Sequence, residues 1–312
     1  MAARLAILCP GQGGQHPGMF DLALSDPATA QALAGWGVEQ LAGLAPQALP
    51  QSPAALHDNR VAQPLVVAAT LAMWQALRAD LPAPALVAGY SIGELAAYGV
   101  AGALAPAEVV GLAARRAALM DGCVKPDQPQ GMLAVSGLDE TALQALLPEG
   151  AAYPAIETGE ASFIIAGLRD ALATVEREVD RRGLHATRLP VTVASHTPLM
   201  HAAARGFRPL LEAAAWSEPA FPLLSGTSAN RVQGRDQALH ALTRQIETTI
   251  RWSACMDAIA EAGVTVALEL GPGAALSRML RERHPGIETR SVAEFKSLAG
   301  IKAWMTRRSQ SS

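Results

Sequence analysis

The stretch Gly89-Tyr90-Ser91-Ile92-Gly93 joins an apolar run, residues 85–88, to a helix-forming run, residues 94–98. A G-x-S-x-G pattern between a strand and a helix is typical of a nucleophile elbow. There the serine stands on a strained turn, and glycine is needed on both sides because larger residues would collide with neighbouring backbone. The N-terminus of the following helix favours negative charge near the serine. A purely structural turn could carry the same five residues, so Ser91 is a candidate nucleophile whose partners must come from elsewhere.

Composition limits the class of protein. The chain has 312 residues, of which 50% are hydrophobic and 17% charged, with a formal net charge of −3. This balance gives no electrostatic reason to expect a nucleic acid or an anionic membrane as partner. No run approaches the ~20 apolar residues of a membrane helix, and no signal peptide is evident. Three cysteines without a C-x-x-C pair (Cys9, Cys123, Cys255) predict neither a disulfide framework nor a metal site, so we expect a cytoplasmic protein without metal or cofactor.

The larger part of the chain alternates apolar strands with helices. Strands are predicted at residues 5–9, 85–88, 222–225 and 266–270, and helices at 65–77, 106–120, 237–248 and from about 274. Gln63-Pro64 is expected to start the first of these helices, and Ser291 with Glu294 to form the capping box of the last helix. Such alternation predicts a parallel sheet wrapped by helices, an α/β fold of the α/β-hydrolase type.

A different order interrupts this pattern. Between residues 127 and 195 the sequence predicts strand 132–136, helix 139–147, strands 152–156 and 162–166, helix 168–182 and strand 186–191. The order βαββαβ is that of a ferredoxin-like unit. The predicted organisation is therefore a large α/β domain of residues 1–126 and 196–312, with residues 127–195 inserted as a small domain.

A serine hydroxyl needs a base to become an effective nucleophile. Seven histidines are candidates: His16, His57, His185, His196, His201, His240 and His284. His196 leads because it lies where a strand is expected to pass into a helix, a position from which a side chain can face a cleft. The glycine-rich loop 10–15 lacks the Lys-Ser/Thr of a P-loop, so it could bring N–H groups to a reacting oxygen or simply turn the chain. Of Arg115 and Arg116, at most one can point into a cleft, because adjacent helical residues lie about 100° apart.

Six segments occur in an order that resembles the malonyl-CoA:acyl carrier protein transacylases, and the resemblance covers nearly the whole chain. They are residues 10–13 (Pro-Gly-Gln-Gly), 89–94 (Gly-Tyr-Ser-Ile-Gly-Glu), 115–120 (Arg-Arg-Ala-Ala-Leu-Met), 195–200 (Ser-His-Thr-Pro-Leu-Met), 244–245 (Arg-Gln) and 269–273 (Glu-Leu-Gly-Pro-Gly). By position, the resemblance implies an acyl-accepting Ser91, His196 as base, Gln245 orienting that histidine through its carbonyl, Gln12 and Ile92 as oxyanion donors, and Arg116 holding the malonyl carboxylate.

The sequence departs from the fatty-acid-synthesis branch of these transacylases and resembles another branch more closely. Tyr90 precedes the nucleophile where that branch usually has histidine, and the residues around it are most similar to the malonyl transferase (epsilon) subunit of biotin-independent malonate decarboxylase. This resemblance implies malonyl transfer from malonyl-CoA to a carrier subunit bearing a phosphoribosyl-dephospho-CoA group, with other decarboxylase subunits as possible partners.

Three alternatives stay open from the sequence. The first is the malonyl-CoA:acyl carrier protein transacylase of fatty acid synthesis. The second is a serine hydrolase, which should supply a late Asp or Glu before its histidine; Asp170 and Asp180 precede His196 but fall in the predicted small domain. The third is a carrier-docking subunit without catalysis.

Overall fold

The computed structural model describes residues 3–310. Its strands are β1 (Leu5–Cys9), β2 (Leu86–Gly89), β3 (Gln130–Ser136), β4 (Ala152–Gly159), β5 (Ser162–Leu168), β6 (His185–Leu189), β7 (Ile250–Arg251), β8 (Val266–Glu269) and β9 (Glu288–Ser291). Its α-helices are α1 (Asp21–Leu24), α2 (Pro27–Ala34), α3 (Val38–Ala42), α4 (Pro53–His57), α5 (Asn59–Leu77), α6 (Ile92–Val100), α7 (Pro106–Asp121), α8 (Glu140–Gln144), α9 (Arg169–Arg181), α10 (His201–Ala213), α11 (Gly234–Glu247), α12 (Trp252–Glu261), α13 (Ala275–Arg283) and α14 (Leu298–Gln310).

Four strands form a parallel sheet in the order β2-β1-β8-β9. Every residue of β1, β2 and β8 is buried, as expected for a parallel sheet covered on both faces. The predicted strand at 222–225 is reduced to isolated bridges, one of them between Leu223 and Val87. Conversely, β9 was not predicted, because only Thr289 and Ser291 of this short edge strand are buried and its polar sequence gives no apolar signal.

The long helix α5 is buried over nearly its whole length and packs against α6 and α7. The prediction that it starts at Gln63-Pro64 was wrong, because α5 begins at Asn59. The side chain of Asp58 caps this earlier start by accepting a hydrogen bond from the N–H of Arg60. Pro64 is therefore inside the helix, where the chain tolerates the loss of one intrahelical hydrogen bond.

A second sheet has the order β6-β3-β5-β4-β7. Its first four strands pair antiparallel and, with α8 and α9, give the predicted ferredoxin-like βαββαβ arrangement. The short strand β7, which comes from the later part of the chain, adds to β4 in parallel. Phe163, Ile165, Leu172 and Val175 belong to a hydrophobic cluster of this unit that is separate from the main core. The α/β fold with a parallel sheet and a ferredoxin-like unit is thus confirmed.

The C-terminal capping prediction needs correction. Ser291 accepts a hydrogen bond from the N–H of Ala293, but this starts only a single 3₁₀ turn, Val292–Glu294. The last helix, α14, begins later, at Leu298. Ser291 also donates to the carbonyl of Gly273, so it ties the end of β9 to the turn before α13. Within residues 3–310, none of the helices is both long and apolar enough to cross a membrane.

Candidate active site

Ser91 lies on the turn between β2 and α6 in a strained conformation, with φ of 56° and ψ of −122°. The flanking glycines are required by contacts that a side chain would make. A Cβ on Gly89 would lie 2.2 Å from the carbonyl oxygen of Gly93, and a Cβ on Gly93 would lie 2.1 Å from that of Cys9. The elbow therefore packs directly against the end of β1, and side chains at both glycines would collide with backbone, as the G-x-S-x-G pattern predicted.

His196 is the histidine that meets this serine. Its Nε2 lies 2.8 Å from the Oγ of Ser91, and its Nδ1 lies 2.5 Å from the main-chain oxygen of Gln245. Because a carbonyl can only accept, Nδ1 carries the proton and Nε2 is free to take the hydroxyl proton of Ser91. A positive φ of 64° and a bond from its own N–H to the carbonyl of Ile246 hold the His196 backbone. Its helical neighbour His201 bonds Glu247 instead.

His196 is almost completely buried, and this determines its charge. Burial, reinforced by the nearby charge of Arg116, lowers its pKa to about 3, although the bond to Gln245 opposes the shift. The imidazole is therefore neutral at physiological pH and able to act as a base. A carbonyl takes the place at Nδ1 that a carboxylate holds in a Ser-His-Asp triad, so the arrangement differs from that triad.

The glycine-rich loop lies beside the elbow. A Cβ on Gly11 would come within 2.9 Å of the carbonyl oxygen of Tyr90, and the side chain of Gln12 donates to Asn59 at 3.2 Å. In the described part of the chain, neither the main-chain N–H of Gln12 nor that of Ile92 has a protein acceptor. Both predicted oxyanion donors are thus free to bind an oxygen.

Arg116 is the member of the arginine pair that turns inward, and it is 2% exposed. Its Nη1 donates to Oε1 of Gln63 at 2.7 Å and its Nη2 to Oε1 of Gln245 at 2.9 Å. Burial lowers its pKa to about 10, against the opposing charge of Glu94, so the guanidinium stays charged at neutral pH. Two neutral amides hold this buried cation, and no carboxylate of residues 3–310 forms an ion pair with it.

Sequence reasoning did not assign roles to two polar residues around Arg116. Glu94 is completely buried on α6, where its Oε2 accepts from Nε2 of Gln245 at 3.0 Å. Gln63 on α5 is held by Asn59 at 2.8 Å. Glu94 is a charged residue in an otherwise apolar run of α6, and Gln63 precedes the apolar run of α5; these positions were the signal that could have identified them. Arg116, Gln63, Gln245 and Glu94 are called the arginine cluster below.

A cavity of about 550 Å³ opens over Ser91 and His196. Its wall includes the glycine-rich loop, Met132 and Leu189 from the ferredoxin-like unit, and Arg278 and Met279 from α13. Most of these groups are apolar or main-chain atoms, which suits a long, flexible ligand arm. Arg116 is not part of this wall; it lies one side chain away, since Gln245 bonds both to it and to the carbonyl oxygen of Ser91.

Tyr90, which separated the two branches of the resemblance, also lines this cavity. Its ring meets that of Trp252 edge to face, with centroids 5.4 Å apart. Tyr90 therefore packs against a fully buried residue and takes no part in the hydrogen bond between Ser91 and His196.

Comparison with known proteins agrees with this geometry. A family model described as "Acyl transferase domain" matches residues 7–299. The malonyl CoA-acyl carrier protein transacylase of Mycobacterium bovis is 34% identical over 304 residues, which cover 95% of this chain and 100% of that protein.

Two solved structures share the complete fold. The malonyl-CoA:acyl carrier protein transacylase of Xanthomonas oryzae has a TM-score of 0.89 and 28% identity, covering 97% of this chain and 99% of its own. A malonyl-transacylase solved in complex with its type II PKS acyl-carrier protein has a TM-score of 0.89 and 27% identity, covering 96% and 99%. The chain therefore belongs to the acyl transferase domain family.

Proposed function

We propose that the protein moves a malonyl group from malonyl-CoA to the thiol of an acyl carrier protein, through a malonyl ester on Ser91. The observation that carries this proposal is the 2.8 Å contact between Ser91 and His196, with a buried Arg116 one side chain away. The relatives named above are malonyl transacylases, and one is bound to an acyl-carrier protein.

In the first step, Oγ of Ser91 attacks the thioester carbonyl while Nε2 of His196 takes the hydroxyl proton. The free N–H groups of Gln12 and Ile92 are the donors for the resulting oxyanion, and one such donor is typically worth roughly 3–4 kcal/mol. The carbon–sulfur bond then breaks, and CoA leaves as a thiol with the proton from His196. In the second step the carrier thiol gives its proton to Nε2 of His196 and attacks the ester carbonyl. The bond between the acyl carbon and Oγ of Ser91 then breaks, and Oγ takes the proton back from His196.

Arg116 is the proposed partner of the malonyl carboxylate. A guanidinium can donate two parallel hydrogen bonds to a carboxylate, and a buried carboxylate needs such a partner. In this structure those donors bond to the amide oxygens of Gln63 and Gln245. On malonyl binding, Arg116 would therefore exchange the two neutral amide oxygens for the charged carboxylate of the substrate. Hydrogen bonds to a charged acceptor are stronger than those to a neutral one.

A carbonyl at Nδ1 of His196 is consistent with this substrate. A carboxylate in that place would add a second negative charge close to the incoming malonyl group. Substrate access would lie between the large domain, residues 1–126 and 196–312, and the inserted small domain, residues 127–195, because residues from both parts line the cavity.

Two acceptors are under consideration, and the acyl carrier protein of fatty acid synthesis is the better supported. The names of the relatives favour it, and none of those named above is described as a malonate decarboxylase subunit. The decarboxylase carrier is kept as the second candidate because of Tyr90 and the residues that follow Ser91.

Intact-mass measurement after incubation with malonyl-CoA tests the first step. We expect one malonyl adduct on the wild-type protein and none on Ser91→Ala, with Ser228→Ala as a control serine variant that keeps the adduct. An unmodified wild-type protein would overturn the proposal and favour a docking subunit without catalysis.

The acceptor is tested by adding carriers to the malonylated protein. Transfer to the phosphopantetheine-bearing carrier of fatty acid synthesis, but not to the decarboxylase carrier, is the expected result. The reverse preference would select the decarboxylase branch. Release of free malonate at a rate independent of either carrier would instead identify a hydrolase.

A further inference from the structure

The side chain of Gln245 takes part in three hydrogen bonds, and its main-chain oxygen accepts another from His196. Its Nε2 donates both of its protons, one to the carbonyl oxygen of Ser91 at 2.6 Å and one to Oε2 of Glu94 at 3.0 Å. Its Oε1 accepts from Arg116, and its main-chain oxygen accepts from His196. One residue thus connects the nucleophile, the base and the guanidinium.

The orientation of the Gln245 carboxamide is set by the two hydrogen-bond acceptors of its NH₂ group. If the amide were flipped, its oxygen would face the oxygens of Ser91 and Glu94, and its NH₂ would face the cationic Arg116. Both contacts would be repulsive. The carbonyl of Ser91 belongs to the main chain and is present whatever residue stands at position 94, whereas the carboxylate is present only because position 94 is a glutamate. An ionised carboxylate can only accept, so it excludes the flipped amide.

Packing alone does not explain an acid at position 94. The side chain is 0% exposed in a helix whose neighbours are Leu95, Ala96 and Ala97, all buried. Oε1 of Glu94 has no hydrogen bond of standard geometry in the described chain, although the N–H of Gly226 lies near the carboxylate. A buried polar atom without a partner is costly, so an apolar residue would serve a packing role better.

We propose that Glu94 is a positioning residue for acyl-group selection: its carboxylate fixes the carboxamide of Gln245, and through it holds Arg116 ready for an acyl carboxylate. This inference rests on the proposed malonyl transfer. Glu94 does not line the cavity and touches no reacting atom, so its effect passes entirely through Gln245.

The charges around Glu94 give this role a pH dependence. Groups that interact with its carboxylate are Arg116 on α7, Tyr98 on its own helix and Cys255 on α12, and only Arg116 is charged at neutral pH. Burial raises the pKa of Glu94 to about 7, against the bond from Gln245 and the charge of Arg116. Below that pH the group becomes a neutral acid that can donate, and the flipped amide is then opposed only by the carbonyl of Ser91 and by Arg116.

The test compares acylation of Ser91 by malonyl-CoA and by acetyl-CoA, measured by rapid quench and intact mass. Glu94→Leu should lower the malonyl-to-acetyl rate ratio about tenfold or more, because a charge-assisted hydrogen bond to Gln245 is lost. Glu94→Gln should lower the ratio less, because its amide oxygen can still accept a hydrogen bond. Glu269→Gln is the control for loss of a buried acid, because burial also raises the pKa of Glu269 to about 7. Glu269 lines the cavity, but it bonds the N–H groups of Leu276 and Ser277 and has no bond to Gln245. The variant should keep the wild-type ratio.

A pH series on the wild-type protein decides the matter even if a variant does not fold. The malonyl-to-acetyl ratio should fall from pH 8 to pH 6 because Glu94 becomes protonated over this range. Protonation of His196 would slow acylation by both acyl donors equally, so it leaves the ratio unchanged. In Glu94→Gln the ratio should be constant over this range. A folded Glu94→Leu with the wild-type ratio, a flat wild-type series, or a ratio that rises on acidification would each overturn the positioning role. Absence of any malonyl adduct on the wild-type protein would instead refute the proposed function itself.

Discussion

The Ser91–His196 pair and the arginine cluster share Gln245 but are built in different ways. The pair depends on backbone conformation: both residues have positive φ, and Ser91 stands on a turn flanked by glycines. The arginine cluster depends on buried side chains from α5, α6, α7 and α11, which are hydrogen-bonded to one another. Strain at the first site positions the reacting atoms, and hydrogen bonding at the second keeps a cation buried. The first site should therefore determine rate, and the second the choice of acyl group.

Removing His196, the proposed base, gives the largest expected effect. His196→Ala should slow acylation by malonyl-CoA and by acetyl-CoA alike, by about 10⁴-fold, because the serine loses its proton acceptor. Rapid-quench intact mass measures both rates. His201→Ala is the matched control, since His201 bonds Glu247 at the surface. An unequal loss for the two donors would show that the two sites are not separable in this way.

Removing the guanidinium should instead act on one donor. Arg116→Ala is expected to lower the malonyl-to-acetyl acylation ratio by about 100-fold, because the buried carboxylate loses a charged partner. Arg116→Lys should recover only part of it, since an ammonium cannot donate the two parallel bonds. Arg115→Ala, on the neighbouring residue, should leave the ratio unchanged. Equal losses for both donors would place Arg116 in a purely structural role.

The backbone dependence of the elbow can be tested with glycines. A Cβ at Gly93 would overlap the carbonyl oxygens of Cys9 and Pro10, so Gly93→Ala should destabilise the fold by about 3 kcal/mol or more. At Gly111 in α7, a Cβ would meet no described atom within 4 Å beyond its own helix, and Gly111→Ala should stabilise by about 0.5–1 kcal/mol. Urea unfolding measures both. A neutral Gly93→Ala would contradict the close approach of α6 to β1.

The smallest effect is expected from pH. Only neutral His196 can accept a proton, and its lowered pKa of about 3 moves the acid limb of activity well below the usual range for histidine. With acetyl-CoA, which has no acyl carboxylate for Arg116, kcat/KM should change little between pH 8 and pH 5.5. A fall centred near pH 6.5 would show that His196 titrates as an exposed histidine.

The two sites also differ in how far sequence could predict them. The elbow was predicted because Gly89, Ser91 and Gly93 are local, and their spacing reports a strained turn. His196 was favoured over six other histidines, but only the resemblance gave it a definite role. The fold classes followed from element order, while the start of α5 was missed because a cap at Asp58 outweighed the proline signal at Pro64.

The resemblance implied roles for Arg116 and Gln245, but the contacts that form the arginine cluster could not be predicted from the residues, for a physical reason. Its members lie as far apart in the sequence as Gln63 and Gln245 and come from four different helices, so no local pattern connects them. Which of Arg115 and Arg116 turns inward depends on how α7 packs on α5, not on either residue. The bonds from Gln245 to Ser91 and Glu94 need coordinates, because no local pattern connects them.

In the proposed mechanism, selection of the acyl group depends on whether its carboxylate takes over the donors of Arg116, and a crystal structure of the malonylated protein would show this. We expect a malonyl ester on Ser91 whose carboxylate oxygens lie within hydrogen-bonding distance of both Nη atoms of Arg116. The bonds from Arg116 to Gln63 and Gln245 should then be released or lengthened. A malonyl carboxylate directed into the open cavity, with Arg116 still bound to both glutamines, would contradict this mechanism of selection.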